Sequence, residues 1–598
     1  MAGTFLRRHS AHLLAAAALL VVYLVASRAL PKDVFWHPDD GAKFLAMQSI
    51  RWDRGLTYAV PYPGRTLDPS WAFYPGRCDH RGLYPLPEPG GGIRLHWPIW
   101  FPLLSRVFYA LFGLSGIYVI PLFSGWLTAI VAGQWLTPGS TSRTRATAIV
   151  LVGCASPIMF YSLCFSEHTL ATLLGTLAIA TLIAFAPDRW SAAWAVVPLL
   201  FLSVALRLEM LALVAAVIVA WGGAVFVAAG RSVAGETLRK VAGGRFRGRV
   251  PSAVALCVLL LGVIALESLL TPRHWELLRT LPSVAQGALS RWRFLLRGVV
   301  YIFFGPPEFQ TRLPSWMWDV LLFMAMSAAG AAPFVRSRRV EALLLVPALL
   351  ILLQASLLMV LASHAYLNRQ GILAVAPYLI LAPYALADAW RRRDQRLFSL
   401  AVCAVCYAAI GFGMLFLTRF ANDGTYLIGL DGAARYMLTL YPAGAALALS
   451  AVQSYRQSDR SALMRSTFTI LTAGLVGVSM LYQVRGLQML YGSRNTLVTW
   501  QQALQREDRV VTDVWWLAAT CPAFFATHEF YCLPDRAALP DWVAEAAEGN
   551  AAAFTFVSRQ PLTAGQFTSA AGQLVLTGQD VVADLYLYRF RLADRGTP

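Results

Sequence analysis

Long apolar stretches alternate with short polar ones over the first 484 residues of the chain. Runs of about 18 or more nearly uncharged residues are long enough to cross a hydrocarbon core of about 30 Å as helices. We therefore expect an α-helical polytopic membrane protein, with residues 1–484 as its transmembrane domain. The pattern predicts thirteen spans, at residues 11–30, 114–136, 147–164, 169–186, 191–206, 208–229, 251–270, 318–335, 340–361, 370–390, 397–417, 436–454 and 466–484.

Arginine clusters recur in the short polar segments of this pattern, and counting the thirteen spans in order places every cluster on one side. Short loops rich in Lys and Arg face the cytoplasm in membrane proteins. The N-terminus is therefore predicted to be cytoplasmic and the C-terminus extracytoplasmic. The clusters are Arg7 and Arg8, Arg143 and Arg145, Arg189, residues 231–249, 336–339, 391–396 and 456–465.

Composition agrees with a membrane protein, and we expect a bacterial plasma membrane. The chain is 57% hydrophobic and 14% charged, whereas soluble domains have about 45–50% and about 25%. Its net charge of +18 lies largely in the loops between spans, which argues against a nucleic-acid partner and for membrane lipids. The first apolar run has no small-residue cleavage site before Pro31, so we expect a retained helix.

The segments on the outer side differ in composition from the short, arginine-rich loops on the cytoplasmic side. Residues 31–113 form a long outer loop rich in Pro, Gly and aromatic residues. Within it, residues 99–112 are predicted to form a helix lying in the membrane interface, and residues 273–297 resemble them. Together they would roof a cavity between spans. The simpler interpretation is anchoring of each helix by Trp and Arg.

Residues 485–598 are less apolar and are predicted to form a small extracytoplasmic α/β domain. Helices are expected near 494–506 and 540–548. The sequence allows a disulfide between Cys521 and Cys532 without establishing it. Strand-like runs occur at residues 509–515, 552–557, 573–576 and 584–590.

The strongest catalytic candidates are two adjacent carboxylates, Asp39 and Asp40, which follow the first span. A helical pattern starts at Phe44. One aspartate is a candidate N-cap of that helix, and either is a candidate general base for a sugar acceptor. The two interpretations are compatible.

Two further charged pairs sit at very short turns between spans. Glu167 and His168 lie between the third and fourth spans, and Arg207 and Glu209 lie between the fifth and sixth. Ionisable residues in such places are costly and are functional candidates by default. Glu167 is predicted to assist catalysis with His168, or else to cap the next span. Arg207 is a candidate substrate ligand, and the simpler interpretation is an ion pair with Glu209 that fixes the turn.

Two arginines, Arg369 and Arg435, enter the tenth and twelfth spans from the outer side. A guanidinium offers paired donors and keeps its charge, so it suits a lipid phosphate. Snorkelling of the side chain at a span end is the alternative. Weaker ligand candidates are His96, His364 and Tyr436. We expect these groups and the carboxylates to converge on one outer pocket.

Several enzyme classes are excluded by missing motifs. The chain has no Walker loop, no G-x-G-x-x-G before a helix, no H-E-x-x-H and no serine elbow. A site on the outer side has no access to cytosolic nucleotide sugars. A sugar donor would therefore have to be a lipid phosphate that crosses the membrane.

The acidic pair Asp39-Asp40, the Glu167-His168 turn and the Arg207-x-Glu209 turn carry a resemblance, together with the interfacial helices, the thirteen spans and the α/β tail. In these features the chain resembles the GT-C glycosyltransferases, near the protein O-mannosyltransferases and the lipid A aminoarabinose transferase. The resemblance implies transfer of a sugar from a polyprenyl phosphate, with inversion, to an outer glycan, lipid or protein. It implies that Asp39 or Asp40 is the base and that arginines bind the lipid phosphate. Some members use a divalent cation (Mg²⁺ or Mn²⁺), for which Asp40 and Glu167 are the candidate ligands. The family's Asp-Glu is Asp-Asp here, which leaves the identity of the base open.

Two other functions remain open at this stage. One is a transporter or flippase of lipid-linked sugars, although its charges would tend to lie near the midplane and its halves to repeat. The other is a non-catalytic component of a cell-surface polysaccharide assembly.

Overall fold

The structure is a computed structural model of the chain. It describes residues 2–51, 60–74, 86–87, 92–94, 98–137, 140–184, 190–220, 299–301, 303–304, 315–362, 371–423, 433–522, 527–548, 553–562, 568–569 and 572–592.

Helices make up most of the described chain. In order they are α1 (Ala2–Ala29), α2 (Pro38–Ser49), α3 (Trp100–Phe112), α4 (Val119–Trp135), α5 (Ser142–Cys154), α6 (Ile158–Tyr161), α7 (His168–Ala184), α8 (Trp190–Leu206), α9 (Leu208–Ala220), α10 (Ser315–Ala331), α11 (Arg338–Ala362), α12 (Ile372–Val375), α13 (Ala382–Arg392), α14 (Gln395–Asp423), α15 (Ala433–Tyr436), α16 (Leu440–Arg456), α17 (Ala462–Leu504), α18 (Leu517–Thr520) and α19 (Leu539–Glu548).

The expectation of an integral, multi-pass membrane protein is confirmed. Six of the described helical stretches are long and apolar enough to cross a membrane, and three shorter ones are also apolar. The predicted total of thirteen spans and the sidedness of the termini stay predictions, because the seventh span, 251–270, lies outside the described residues. The six long stretches are Ser10–Ala29, Trp100–Trp135, Trp316–Phe334, Arg338–Leu361, Gln395–Met414 and Ala462–Leu504.

Two predicted spans are not continuous helices. The span at 147–164 is wrong as one helix, because α5 ends at Cys154 and α6 starts only after Pro157. The span at 370–390 is likewise interrupted at Pro377, where a short 3-10 helix separates α12 from α13. Proline lacks the amide proton that a continuous helix needs and its ring clashes with the preceding turn.

A third correction concerns the end of the membrane region. The sequence predicts a span at 466–484 and a separate helix near 494–506, whereas the structure has one 43-residue helix, α17. No proline interrupts it, and the Gly-Ser-Arg-Asn sequence at residues 492–495 remains helical, so the change in hydropathy near residue 485 does not mark a helix end.

The amphipathic segment 99–112 forms helix α3, as expected. Its Trp100, Leu104, Val107 and Leu111 are exposed, whereas Phe101 is buried. These exposed residues recur three or four positions apart and so share one face. Its place in the membrane interface stays a prediction, and residues 273–297 lie outside the described chain.

Contacts divide the chain into two compact units. Unit 1 comprises Met1–Val25, Pro121–Leu163 and Glu167–Leu487. Unit 2 comprises Ala26–Ile120, Cys164–Ser166 and Gln488–Pro598, and therefore combines the outer loop with the tail. The sequence-based boundary at residue 484 separates these two segments, because it follows hydropathy alone.

The tail contains a six-stranded sheet, which supports the predicted α/β character. Its order is β5-β4-β6-β9-β8-β7, with β4 parallel to both β5 and β6 and the remaining pairs antiparallel. The four predicted strands are present, and β5 and β7 were not anticipated. The strands are β4 (Arg509–Thr512), β5 (Glu529–Cys532), β6 (Ala553–Ser558), β7 (Thr568–Ser569), β8 (Gly572–Val582) and β9 (Leu585–Leu592). A small sheet in the outer loop has β1 (Val60–Pro61), β2 (Leu86–Pro87) and β3 (Gly92–Arg94) in the order β1-β3-β2.

One hydrophobic core joins the outer loop to the tail within unit 2. Leu45, Tyr62 and Phe73 from the loop pack in the same cluster as Tyr531 and Trp542. Backbone bonds reinforce this packing, since Cys532 donates its amide to Phe73 O at 2.8 Å. The described parts of the outer loop thus belong to a folded unit.

Asp68 holds the outer loop in shape from inside this core. It is fully buried and accepts bonds from the Tyr62 hydroxyl at 2.9 Å and the Phe73 amide at 2.8 Å. Ser70 Oγ and the Ala72 amide bond to its other oxygen. Burial and the Asp68 carboxylate together raise the pKa of Tyr62 well above its ordinary value. A buried carboxylate with this many donors stabilises a single loop conformation.

The disulfide that the sequence allowed is not present. Cys521 is a free, buried thiol whose pKa burial raises to about 12. Such a thiol is mostly protonated at neutral pH and is a packing residue.

Gly41 of α2 provides a test of the contact between α2 and the tail. A Cβ at this position would overlap the carbonyl oxygen of Ala519. We expect Gly41→Ala to destabilise the protein by about 1–3 kcal/mol, the usual cost of overpacking, measured as a lower thermal unfolding midpoint of the purified protein.

Gly492→Ala is the matched control, because Gly492 is also helical and has open space around its Cβ position. Alanine should there stabilise α17 by about 0.5–1 kcal/mol. Equal midpoints for both variants would contradict the described contact.

Candidate functional site

The two candidate carboxylates of unit 2 lie in the first turn of α2. That helix begins at Pro38 and not near Phe44, and its N-cap is His37, whose Nδ1 accepts the Asp39 amide at 3.2 Å. The expectation that an aspartate caps the helix is therefore wrong. Proline suits the first helical position and acidic residues suit the first turn, where the helix dipole stabilises their charge.

The two aspartates differ in their surroundings. The Asp39 side chain is 24% exposed, with Oδ2 at 3.3 Å from His37 Nδ1. Asp40 is only 4% exposed. Lys43, on the same face of α2, is 3% exposed. A carboxylate removed from water retains fewer competing hydrogen bonds and interacts more strongly with a nearby proton donor. Asp40 is therefore the more strongly desolvated of the two candidate carboxylates.

Aromatic rings line the neighbourhood of α2. Phe44 lies 5.2 Å from Phe35 and 6.5 Å from Phe165, measured between ring centroids. Phe165 in turn lies 5.0 Å from Phe101 of α3. These rings exclude water from one side of the helix, and all four belong to unit 2.

A cationic cluster in unit 2 was not anticipated from the sequence. Lys32 Nζ lies 4.5 Å and the Arg494 guanidinium carbon 5.2 Å from the centroid of the Tyr118 ring. Arg494 also donates to Pro31 O at 3.1 Å and is fully buried. Asp33 and Asp40 both lie within electrostatic range of the Tyr118 hydroxyl. The cluster therefore places two cations in the surroundings of the candidate base.

These residues come from three distant parts of the chain, so no spacing rule relates them. Lys32 directly follows the first span, where a lysine ordinarily snorkels. Arg494 lies in the part of α17 that hydropathy places beyond the membrane. The only sequence signal for this cluster was Arg494 itself, a charged residue in a helical and otherwise weakly charged segment.

In unit 1, Arg207 joins the two candidate turns. Its Nη1 donates to Glu167 Oε1 at 2.8 Å, and its Nη2 donates to Glu209 Oε1 at 2.9 Å. His168 Nε2 is 3.2 Å from the same Nη1. Glu167 directly precedes α7, and Arg207 separates α8 from α9. The Arg207–Glu209 pairing is confirmed, and the same guanidinium also binds Glu167.

Arg435 and Tyr436 complete this cluster. The Arg435 guanidinium carbon lies 4.6 Å from the Tyr436 ring centroid. Arg435 Nη2 donates to the Tyr436 hydroxyl. Arg207 lies 5.6 Å from the same ring. Tyr436 is thus in contact range of two cations, an arrangement that orients both guanidinium groups through cation–π attraction. Two such groups suit an anion with several oxygens.

Three predicted ligands, His96, His364 and Arg369, lie outside the described residues. Among the residues that the structure does describe, no three His, Cys, Asp or Glu side chains are grouped so that they could hold a metal ion. The divalent cation stays a prediction.

Comparison with known proteins returns structures alone, since no family model and no curated protein matches the chain. Two similar solved structures are crystal structures of ArnT from Cupriavidus metallidurans. The apo-state structure has 12% identity and a TM-score of 0.43, covering 96% of this chain and 97% of its own. The structure bound to undecaprenyl phosphate has 14% identity and a TM-score of 0.37, covering 97% of this chain and 99% of its own.

Removing Arg207 should destabilise unit 1, because the Glu167 side chain is only 5% exposed and would lose its cation. Breaking a buried ion pair from one side costs about 3–5 kcal/mol. We expect Arg207→Ala to lower the thermal unfolding midpoint strongly, and the added Glu167→Gln substitution to restore part of it.

Arg392→Ala is the control, since the Arg392 side chain is 54% exposed in its pair with Asp388. An exposed pair is worth about 0–1 kcal/mol. If Arg207→Ala shifted the midpoint no more than Arg392→Ala, the buried bridge would be ruled out.

Lys32 should make stability depend on pH. Burial and the nearby Arg494 lower its pKa from 10.5 to about 8. The unfolded chain then binds more protons than the folded one between about pH 8 and 10.5, so stability rises with pH in that window. We expect the thermal midpoint of the wild type, relative to that of Lys32→Met, to rise from pH 8 to pH 10. A constant difference would contradict the lowered pKa.

Proposed function

We propose that this membrane protein is a glycosyltransferase that moves a sugar from a polyprenyl-phosphate donor to an extracytoplasmic acceptor, with inversion. The acceptor is a glycan, a lipid or a protein. The observation that carries the proposal is Asp40, a carboxylate that is 4% exposed in the first turn of a helix and has cations in its surroundings.

In the proposed reaction, the acceptor hydroxyl oxygen attacks the anomeric carbon of the donor sugar. The Asp40 carboxylate takes the hydroxyl proton as the new C–O bond forms. The bond between the anomeric carbon and the phosphate oxygen breaks, and its electron pair leaves with the polyprenyl phosphate. Asp39 is the second candidate for the base, because it occupies the same turn and is more accessible.

The phosphate leaving group calls for fixed positive charge. We assign this role to Arg207 and Arg435, which the Tyr436 ring orients, and to Arg369, His364 and His96 as further candidates. Lys32 and Arg494 are added as candidates from the geometry of unit 2. Glu167 and His168 are proposed to hold Arg207 in position. Glu167 accepts a hydrogen bond from Arg207 Nη1, and His168 Nε2 lies 3.2 Å from the same nitrogen. A preorganised charge stabilises the developing phosphate without reorganisation.

The decisive variants are Asp39→Asn, Asp40→Asn and the double substitution. Loss of the general base should lower sugar transfer from a polyprenyl-phosphate sugar by about 10²- to 10⁴-fold, with Asp40→Asn having the larger effect. Binding of undecaprenyl phosphate, the lipid named with one of the similar structures, should persist. Both quantities are measured on purified protein in vesicles.

Asp541→Asn serves as control, because Asp541 is an exposed aspartate in the first turn of another helix, α19. Undiminished transfer by the double variant would refute the role of the base. Movement of a labelled lipid-linked sugar across the vesicle membrane without transfer would instead identify a flippase.

A further inference from the structure

The carboxyl edge of the parallel strands in unit 2 has the geometry of a ligand site. Strand β4 lies between β5 and β6, so the chain moves from β4 to one side and then returns across it to β6. Ligands of open α/β sheets bind outside the carboxyl ends of the strands at such a reversal. In this protein the reversal lies between the end of β4 and the end of β6.

Polar side chains meet at this point. Asp513 follows β4 directly, and Ser558 ends β6. Asp513 Oδ2 accepts the Ser558 hydroxyl at 2.9 Å and two N–H groups of Arg536, each at 3.3 Å. Arg536 comes from the segment after β5. The carboxylate is therefore held rigidly by one residue from each of the other two strand ends.

The guanidinium of Arg536 is held by the protein through all three of its nitrogens. Besides Asp513, it donates to Ser558 Oγ at 2.8 Å, Pro561 O at 3.0 Å and Gln560 O at 3.3 Å. In contrast, no described residue donates to Asp513 Oδ1, and the side chain is 16% exposed. The edge therefore presents a fixed acceptor with negative charge.

The chemistry of this edge selects a neutral ligand with hydroxyl groups. A carboxylate oxygen accepts a hydroxyl proton and repels a phosphate. The turn after β4 also lacks the glycines that bring backbone amides to a phosphate, because it reads Asp-Val-Trp-Trp. In the same turn Trp515 is 37% exposed. A large exposed ring next to an oriented acceptor suits a sugar ring, which has an apolar C–H face and hydroxyl groups at its rim.

We propose that Asp513 Oδ1 and the Trp515 ring bind a neutral sugar at the carboxyl edge of β4 and β6. Under the proposed transferase function, on which this part rests, the bound sugar is the glycan portion of the acceptor. The binding itself does not depend on that function, since the site lies wholly in unit 2 and takes no part in the chemical step.

Binding is tested by saturation-transfer NMR on the full-length protein in nanodiscs, which contain no sugar head groups. The probes are the methyl α-glycosides of glucose, mannose and galactose, with glucose 6-phosphate as the anionic comparison. We expect saturation transfer to at least one glycoside and less to the phosphate. Asp513→Asn and Trp515→Ala should each lower binding about tenfold, as expected for the loss of a charge-assisted hydrogen bond or a stacked ring.

Glu529→Gln is the matched control, since Glu529 forms a comparable ion pair with Arg509 at the opposite end of the parallel strands. It should bind the glycosides like the wild type. Trp515→Ala leaves the Arg536 bonds intact and so reports on binding even if Asp513→Asn unfolds the tail.

The absence of saturation transfer to all three glycosides, or equal transfer in wild type and Trp515→Ala, overturns the proposal. The two proposals fail separately. Glycoside binding without any sugar transfer from the polyprenyl donor refutes the transferase alone. Sugar transfer with glycoside binding that neither variant changes refutes the sugar site alone.

Discussion

A charge among apolar helices is tolerated only where an opposite charge meets it, and this constraint organises unit 1. Arg207 separates α8 from α9 without a loop, and it binds Glu167 before α7 as well as Glu209. The ends of three helices are thereby joined through one guanidinium. Glu341 repeats the principle elsewhere in the unit, because it is 3% exposed and accepts from Arg460 at 2.5 Å. Such pairs offset the cost of removing each ion from water.

In unit 2 the equivalent constraint is that buried backbone amides and carbonyls need hydrogen-bond partners. The outer loop has few long elements of its own, so its amides and carbonyls find partners in the tail: the Phe35 amide donates to Thr520 O at 3.0 Å, and Tyr531 donates to Gly64 O at 3.2 Å. A buried unpaired backbone group would cost about as much as a lost hydrogen bond. The candidate base on α2 is therefore positioned by residues nearly five hundred positions away.

The tail serves two purposes in this account. Its hydrophobic core supports the outer loop, through the cluster that includes Tyr62 and Trp542, and its carboxyl edge carries Asp513 and Trp515 in the proposed sugar site. Both follow from one sheet, in which the core lies beneath the strands and the strand ends remain accessible. A domain without a catalytic motif of its own thereby contributes to the position of one group and the recognition of another.

Hydropathy alone determined that the chain is a helical membrane protein, because an apolar run of membrane length has few alternatives in lipid. Local pattern also indicated Asp39, Asp40, Glu167 and Arg207 as unusual charges, and it predicted the strands whose alternation is strong. Tertiary structure alone decided that His37 caps α2, that α17 continues to Leu504, and that Lys32 and Arg494 share the Tyr118 ring. These outcomes depend on contacts between residues far apart in the chain, and periodicity carries no information about which distant side chains will meet.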